Sequence, residues 1–269
     1  MKVFLIDISI CNGCYCCQVV CKDEHVGNDW MPYTRSQPDT GQFWLKLNEY
    51  IRGTVPKVKM HYIPVLCMHC DDAPCMNVCP VEGAIYKRDD GLVVIDPEKC
   101  NGCRNCIDAC PYGAIYFNEE VYLAQKCTGC AHLLDDGWDI PRCVDVCPTH
   151  ALKFGEESDL KELIDKAVAM NPEAKTKPRV YYMNVPGSFI AGTVFNPDTR
   201  EVISGATCTL VDTASGETLA KSTDGFGDFW FENLKAGSFS LNIEGDGKTR
   251  QIDHIDSANS VNLGNIPLT

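Results

Sequence analysis

The sequence predicts an α+β chain of two unlike parts: tandem cysteine-rich modules of short helices and strands, then a small antiparallel β-sandwich. Three observations predict it. Of the 18 cysteines, 17 lie between Cys11 and Cys147, and only Cys208 lies beyond them. All but one of those N-terminal cysteines fall into four motifs of related spacing. From residue 188 onward the chain alternates apolar and polar residues in short runs separated by turn residues, the pattern of half-buried strands.

Composition narrows the class. Apolar residues make up 45% and charged residues 23% of the 269, ordinary values for a globular protein. The net charge is −13, divided as −7 over residues 1–150 and −6 over residues 151–269. Nucleic-acid binding needs a basic footprint, and none is present. The apolar start MKVFLIDISI is too short for a signal-peptide core and is interrupted by Asp7. No apolar run reaches bilayer length, so direct membrane insertion is not expected. Disulfide scaffolds are typically short secreted domains, so a reducing, cytoplasmic setting is the simpler expectation. Export alongside a partner that carries the signal is the alternative.

Three regions follow in order. Residues 1–155 carry the cysteine motifs, separated by strand-like pieces such as Leu92-Val93-Val94-Ile95. Residues 156–187 form a helix and linker: Ser158 is an N-cap, Asp159 and Glu162 suit the first turn, and Leu160, Leu163, Ile164, Ala167 and Val168 make one apolar stripe. Asn171-Pro172 ends that helix, and its stripe calls for packing, not chemistry. Residues 188–269 hold strands at 189–195, 206–211, 229–231 and 239–243, with turns at Asn196-Pro197-Asp198, Ala214-Ser215-Gly216, Asp224-Gly225 and Gly245-Asp246-Gly247. Cys208 sits on one of these strands among apolar neighbours and reads as a buried small hydrophobe.

The motifs carry the chemistry. Motif one is Cys11-x2-Cys14-x2-Cys17-x3-Cys21, and motif two is Cys67-x2-Cys70-x4-Cys75-x3-Cys79-Pro80. Motif three is Cys100-x2-Cys103-x2-Cys106-x3-Cys110-Pro111, and motif four is Cys127-x2-Cys130-x12-Cys143-x3-Cys147-Pro148. Motif three matches the run C-x2-C-x2-C-x3-C-P of bacterial ferredoxins, in which three thiolates hold one [4Fe–4S] cluster and the fourth ligates its neighbour. Zinc is the main competitor. It usually takes two separated ligand pairs, which motif four could supply if seen alone, but three cysteines within seven residues fit a cubane better.

Because each fourth cysteine serves another cluster, the motifs work in pairs as nested ferredoxin-like modules. Motifs two and three would place Cys67, Cys70, Cys75 and Cys110 on one cluster and Cys100, Cys103, Cys106 and Cys79 on a second. Motifs one and four would place Cys11, Cys14, Cys17 and Cys147 on a third and Cys127, Cys130, Cys143 and Cys21 on a fourth. Cys16 is left over. It reads as a packed thiol, with replacement of Cys17 as a ligand the alternative.

Little else in the chain reads as chemistry. His69 and His132 read first as packed or solvated histidines, with a potential-tuning hydrogen bond near the thiolates as the alternative. Asp71, Asp72, Asp135 and Asp136 are loop charges without an acid–base partner. No phosphate-cradling glycine loop and no nucleophile with a base is visible, so no catalytic residues are assigned. Four clusters without a catalytic constellation make a relay. A free-standing polyferredoxin and an interaction protein with structural clusters are the alternatives; the long β tail argues against the first.

The four motifs in this order, with the long gap between Cys130 and Cys143 and the segment Cys67-Met68-His69-Cys70-Asp71-Asp72-Ala73-Pro74-Cys75, resemble the four-cluster subunits of the dimethyl-sulfoxide-reductase superfamily of molybdenum or tungsten bis-pterin oxidoreductases. Asp23-Glu24-His25, Ala131-His132-Leu133-Leu134-Asp135-Asp136 and Lys177-Pro178-Arg179-Val180-Tyr181-Tyr182 are similar to the small subunits of pyrogallol–phloroglucinol transhydroxylases, resorcinol hydroxylases and catechol dehydroxylases. The tail segments 223–231 and 234–237 resemble the carboxypeptidase-regulatory-like β-sandwich that such subunits carry. The resemblance implies a heterodimer in which a large partner holds the molybdopterin and a phenolic substrate, while this chain exchanges electrons with an unidentified donor or acceptor. One departure bears on the reaction. The transhydroxylase pattern lacks the ligands equivalent to Cys79, Cys100, Cys103 and Cys106, and this chain has all four. Transhydroxylation needs no net electrons, so the complete set shifts the expectation toward net oxidation or reduction.

Overall fold

The computed structural model describes residues 1–269, which divide into two compact units: residues 1–49 with 62–185, and residues 50–61 with 186–269. In chain order the first unit begins with β1 (Lys2–Asp7), a 3-10 turn (Ile8–Ile10) and α1 (Cys16–His25). A long hairpin follows, β2 (Leu45–Thr54) and β3 (Lys57–Leu66), whose outer residues belong to the second unit. Then come α2 (Pro74–Asn77), β4 (Ile85–Lys87), β5 (Val93–Ile95), α3 (Asn105–Ala109), β6 (Ile115–Asn118), β7 (Leu123–Lys126), α4 (Ala131–Asp135) and α5 (Arg142–Asp145). β8 (Leu152–Glu156), α6 (Lys161–Ile164), β9 (Val168–Ala169) and β10 (Val180–Met183) close the unit.

The continuous apolar run Val3-Phe4-Leu5-Ile6 is buried along its whole length, as expected of a strand covered on both faces. β1 accordingly lies inside a four-stranded sheet of order β8-β1-β10-β9, antiparallel to β8 and parallel to β10. The strand preceding motif one is thereby paired with the strand following motif four. β4–β5 and β6–β7 are short hairpins after motifs two and three. One core runs through the unit and mixes Phe4, Ile6, Trp44, Leu66, Leu92, Val93 and Tyr182 with buried cysteines of all four motifs.

The helix expected over 158–168 is reduced to the single turn of α6, none of whose residues is buried. Val168 and Ala169 instead pair with Tyr182 and Tyr181 of β10. The apolar stripe thus ends where β-branched Val168 finds a strand edge, a tertiary contact that outweighs local helix preference.

The second unit holds β11 (Ser188–Phe195), β12 (Thr207–Asp212), β13 (Thr218–Ser222), β14 (Asp228–Leu234), β15 (Ser238–Gly245), β16 (Lys248–Asp256) and β17 (Val261–Pro267). They form two sheets, β14-β11-β17 and β13-β12-β15-β16, around one core of Ile190, Val194, Cys208, Leu210, Phe229, Phe231, Leu241, Ile243 and Ile266. Cys208 is fully buried there, which pushes its thiol up to about 12. One pairing departs from the antiparallel expectation: β17 runs parallel to β11. β16 and β17 lie in different sheets, so the connection between them is a crossover rather than a hairpin. The hairpin tip belongs to this unit through Arg52, which donates to the Pro186 carbonyl at 2.7 Å, and through the Lys57–Asp228 ion pair.

Candidate functional site

The four cysteine motifs fold as two kinds of loop. In motifs one and three an asparagine closes the loop: Asn12 Oδ1 accepts from the Cys14 N–H, and Asn101 Oδ1 from the Cys103 N–H, each at 3.2 Å. Gly13 and Gly102 both have φ of 72°. A Cβ on Gly13 would lie 2.5 Å from the Tyr62 ring, and one on Gly102 would lie 2.6 Å from the Tyr122 ring, so glycine is required twice over. Tyr15 and Arg104 follow in the left-handed region at φ 63° and 67° and cap α1 and α3. Non-glycine residues there are strained, and repetition of that strain at matching positions marks a shared requirement of the loop.

Motifs two and four make the second kind. The His69 N–H donates to Cys67 Sγ at 3.5 Å, and the Gly129 N–H donates to Cys127 Sγ at 3.3 Å. The third cysteine of each sits on a one-turn helix opened by proline, Pro74 for Cys75 on α2 and Pro141 for Cys143 on α5.

The structure brings the cysteines together in four quartets. Cys67, Cys70, Cys75 and Cys110 line one cavity, and Cys79, Cys100, Cys103 and Cys106 line another. Burial, reinforced by the neighbouring thiolates of Cys11, Cys14 and Cys147, pushes the Cys17 thiol up to about 12. Cys21 and Cys143 are fully buried, which drives both thiols well above the usual value, with Cys127 and Cys130 adding repulsion. α1 packs against α5, and α2 against α3. Cys16 lies beside the motif-one quartet: its thiol is raised by a hydrogen bond with Cys14 and by the neighbouring Cys147.

These surroundings suit iron–sulfur clusters. The soft donors of motifs two and four arrive with backbone N–H groups already aimed at Sγ of Cys67 and Cys127. Two polar atoms in the same loops, His69 Nε2 and Thr128 Oγ1, are buried without a protein partner, as donors kept for a non-protein acceptor would be. Burial alone disfavours thiolates, so ligation through ionised sulfur would need the positive charge of a bound iron–sulfur core.

Several residues around the quartets carry no motif. Arg179 on the approach to β10 is almost fully buried and grips Asp71, just after Cys70, with two hydrogen bonds of 2.6 and 2.9 Å. Burial would raise the Asp71 carboxyl, but hydrogen bonds from Arg179 and Lys87 override it and hold it below its usual range. The Asp71 and Asp72 N–H groups donate to the carbonyls of Lys177 and Thr176, and the Arg179 N–H to that of Met68. The linker thus clamps the motif-two loop by its backbone. Lys126, next to Cys127, is 2% exposed and donates to the carbonyls of Val93 and Cys127. His132 stacks on Trp30 and bonds Glu24 Oε1 at 3.1 Å, while Arg142 meets the other Glu24 oxygen. His69 Nδ1 accepts from the Val93 N–H at 3.0 Å. Arg179 and Lys126 escape sequence reasoning because a single charged residue looks like any solvated one until its burial is known; the position of Lys126 beside Cys127 was the only clue.

The comparisons agree with this chemistry. Residues 58–157 match the 4Fe-4S dicluster domain family, and residues 190–269 match the carboxypeptidase regulatory-like domain. The chain is 39% identical to the pyrogallol hydroxytransferase small subunit of Pelobacter acidigallici, over 98% of both chains. It is 36% identical to a tetrathionate reductase subunit of Salmonella typhimurium, covering 69% of this chain and 73% of that one. With the arsenate respiratory reductase iron-sulfur subunit of a Shewanella strain it shares 34% identity over 66% of this chain and 94% of that one. No helix is long and apolar enough to cross a membrane. Cysteine loops shaped for iron–sulfur clusters, together with full-length similarity to such a subunit, place the chain in the family of iron–sulfur small subunits of molybdenum oxidoreductases, within the dimethyl-sulfoxide-reductase superfamily.

Proposed function

We propose that each quartet holds one [4Fe–4S] cluster and that the four clusters form an unbranched wire through nested ferredoxin-like modules. The sixteen ligands are those of the four quartets, with Cys16 unligated. Bound there, each cluster supplies one-electron storage; the chain supplies spacing, burial and hydrogen bonding. The observation that carries this reading is the sequence of neighbours between quartets. α1, with Cys17 and Cys21, packs on α5, with Cys143; Lys126, beside Cys127, bonds the carbonyl of Val93, which lines the motif-two cavity; and α2, with Cys75, packs on α3, with Cys106. The order is therefore motif one, four, two, three. Exposure supports it: Cys14 and Cys103 are the exposed cysteines and belong to the two terminal quartets, whereas the motif-four quartet is wholly buried.

In this reading the wire runs between an external donor or acceptor and a large cytoplasmic partner that holds a Mo or W bis-pterin and turns over a phenol of the catechol, pyrogallol or resorcinol type. Similarity to the pyrogallol hydroxytransferase small subunit supports the substrate class. The complete motif-three quartet favours net redox turnover over transhydroxylation. Purification from the native host should yield this chain with a large pterin-containing subunit and about sixteen iron atoms per chain, four for each cubane. Recovery of the chain alone would count against a subunit and for a free polyferredoxin. Cys79→Ala gives a sharper test, because Cys79 lies in motif two but its loss should abolish the cluster of Cys100, Cys103 and Cys106. Loss of the motif-two cluster instead would refute the nesting.

A further inference from the structure

Lys126 stands out among the buried charges. It lies at the end of β7, is 2% exposed, and its ammonium meets only two backbone carbonyls, those of Val93 and Cys127. No carboxylate lies within ion-pair distance of it, although the other buried cations are paired, Lys57 with Asp228 and Arg179 with Asp71 and Glu157. A buried cation without an anionic partner is expensive. Geometry places it between two quartets: one carbonyl it meets is that of Cys127, in the motif-four quartet, and the other is that of Val93, which lines the cavity of Cys67, Cys70, Cys75 and Cys110. Those are the two interior quartets of the wire, and Cys127 also neighbours Cys67. The position is held from both sides. Val93 gives its carbonyl to Lys126 and its N–H to His69, so one residue ties the motif-two loop to the approach to motif four.

We propose that Lys126 is a fixed counter-charge shared by the two interior clusters, raising the reduction potential of both. A thiolate-ligated cluster carries net negative charge that grows when an electron arrives, so a nearby cation in a medium of low dielectric favours the reduced state. An electron crossing from one interior cluster to the other stays beside the same cation, which keeps the central step close to level. The inference rests on the cluster assignment above.

The test is a redox titration of the purified complex, followed by electron paramagnetic resonance, for wild type, Lys126→Gln and Lys126→Arg. Glutamine keeps a hydrogen-bond donor and removes the charge; arginine keeps the charge. In Lys126→Gln two of the four midpoints should fall by about 59 mV, which is about a tenfold loss in the reduced-to-oxidised ratio of a one-electron couple. The other two should move much less, and Lys126→Arg should restore the wild-type pattern. Unchanged potentials in Lys126→Gln, or an equal fall in all four, would overturn the proposal. If Lys126→Gln fails to retain its clusters, retention of all four by Lys126→Arg supports a need for the charge, and loss in both overturns it. The iron content and four-cluster spectrum of the wild type test the cluster assignment separately, so the two failures can be told apart.

Discussion

Replacing Arg179 by Met should loosen the motif-two loop, and the structure sets the size of the effect. The guanidinium side chain is 6% exposed and holds Asp71 by two hydrogen bonds, with a third to Glu157 at 3.1 Å. Removing one member of a well-buried pair costs about 3–5 kcal/mol, because the other charge is left uncompensated. Here the figure must be reduced: the Asp71 side chain is 35% exposed and keeps Lys87 as a partner. About 2 kcal/mol remains after allowing for solvent screening, roughly a thirty-fold effect on an equilibrium or rate. A chain that carries metal clusters does not unfold reversibly in two states, so the useful observable is the rate at which cluster absorbance bleaches in moderate urea. Arg179→Met should bleach up to about thirty-fold faster, the full effect appearing if the contact is already broken in the transition state. Asp71→Asn should also accelerate bleaching, and the double variant should lose much less than the two effects combined, since neither Arg179 nor Asp71 is then left without the other. Strict additivity would show that the two side chains do not act as a pair and would refute the clamp.

Gly102→Ala should strip iron from the motif-three cluster, since φ is 72° and the new Cβ would lie 2.6 Å from the Tyr122 ring and 2.9 Å from its carbonyl oxygen. Gly113→Ala, at φ 60° with nothing within 4 Å, should cost about 1 kcal/mol and keep full iron content by elemental analysis. Cys16→Ser should retain four clusters by electron paramagnetic resonance, whereas Cys17→Ser should not. Hydrogen bonds from Arg88 and Tyr33 hold the Asp135 carboxyl down to about 2 against an ordinary 3.8. A depressed carboxyl contributes stability that is present above its ordinary value and lost as pH falls through its folded value. The difference in bleaching rate between wild type and Asp135→Asn should therefore be constant above about pH 5 and vanish near pH 2.

Sequence alone determined what is local. The C-x2-C loops need only a few residues, a glycine or residue able to adopt positive φ and an asparagine, so the loops around Cys11 and Cys100 could be recognised by spacing. Strands at 188–195 and 207–212 were readable because alternation with period two and flanking turns are short-range properties, and Cys208 could be placed in a core from its neighbours. Contacts between distant segments had no such signal. The pairing of Phe4 with Val180 and with Phe154 spans most of the first unit, and the parallel register of β17 on β11 depends on a crossover. The helix expected over 158–168 gave way at Val168 because a strand edge was available, which no local pattern announces. The same is true of Arg179 and Lys126. Only folding turns these two cations from ordinary surface charges into buried ones, because desolvation is a property of the assembled core rather than of the residue.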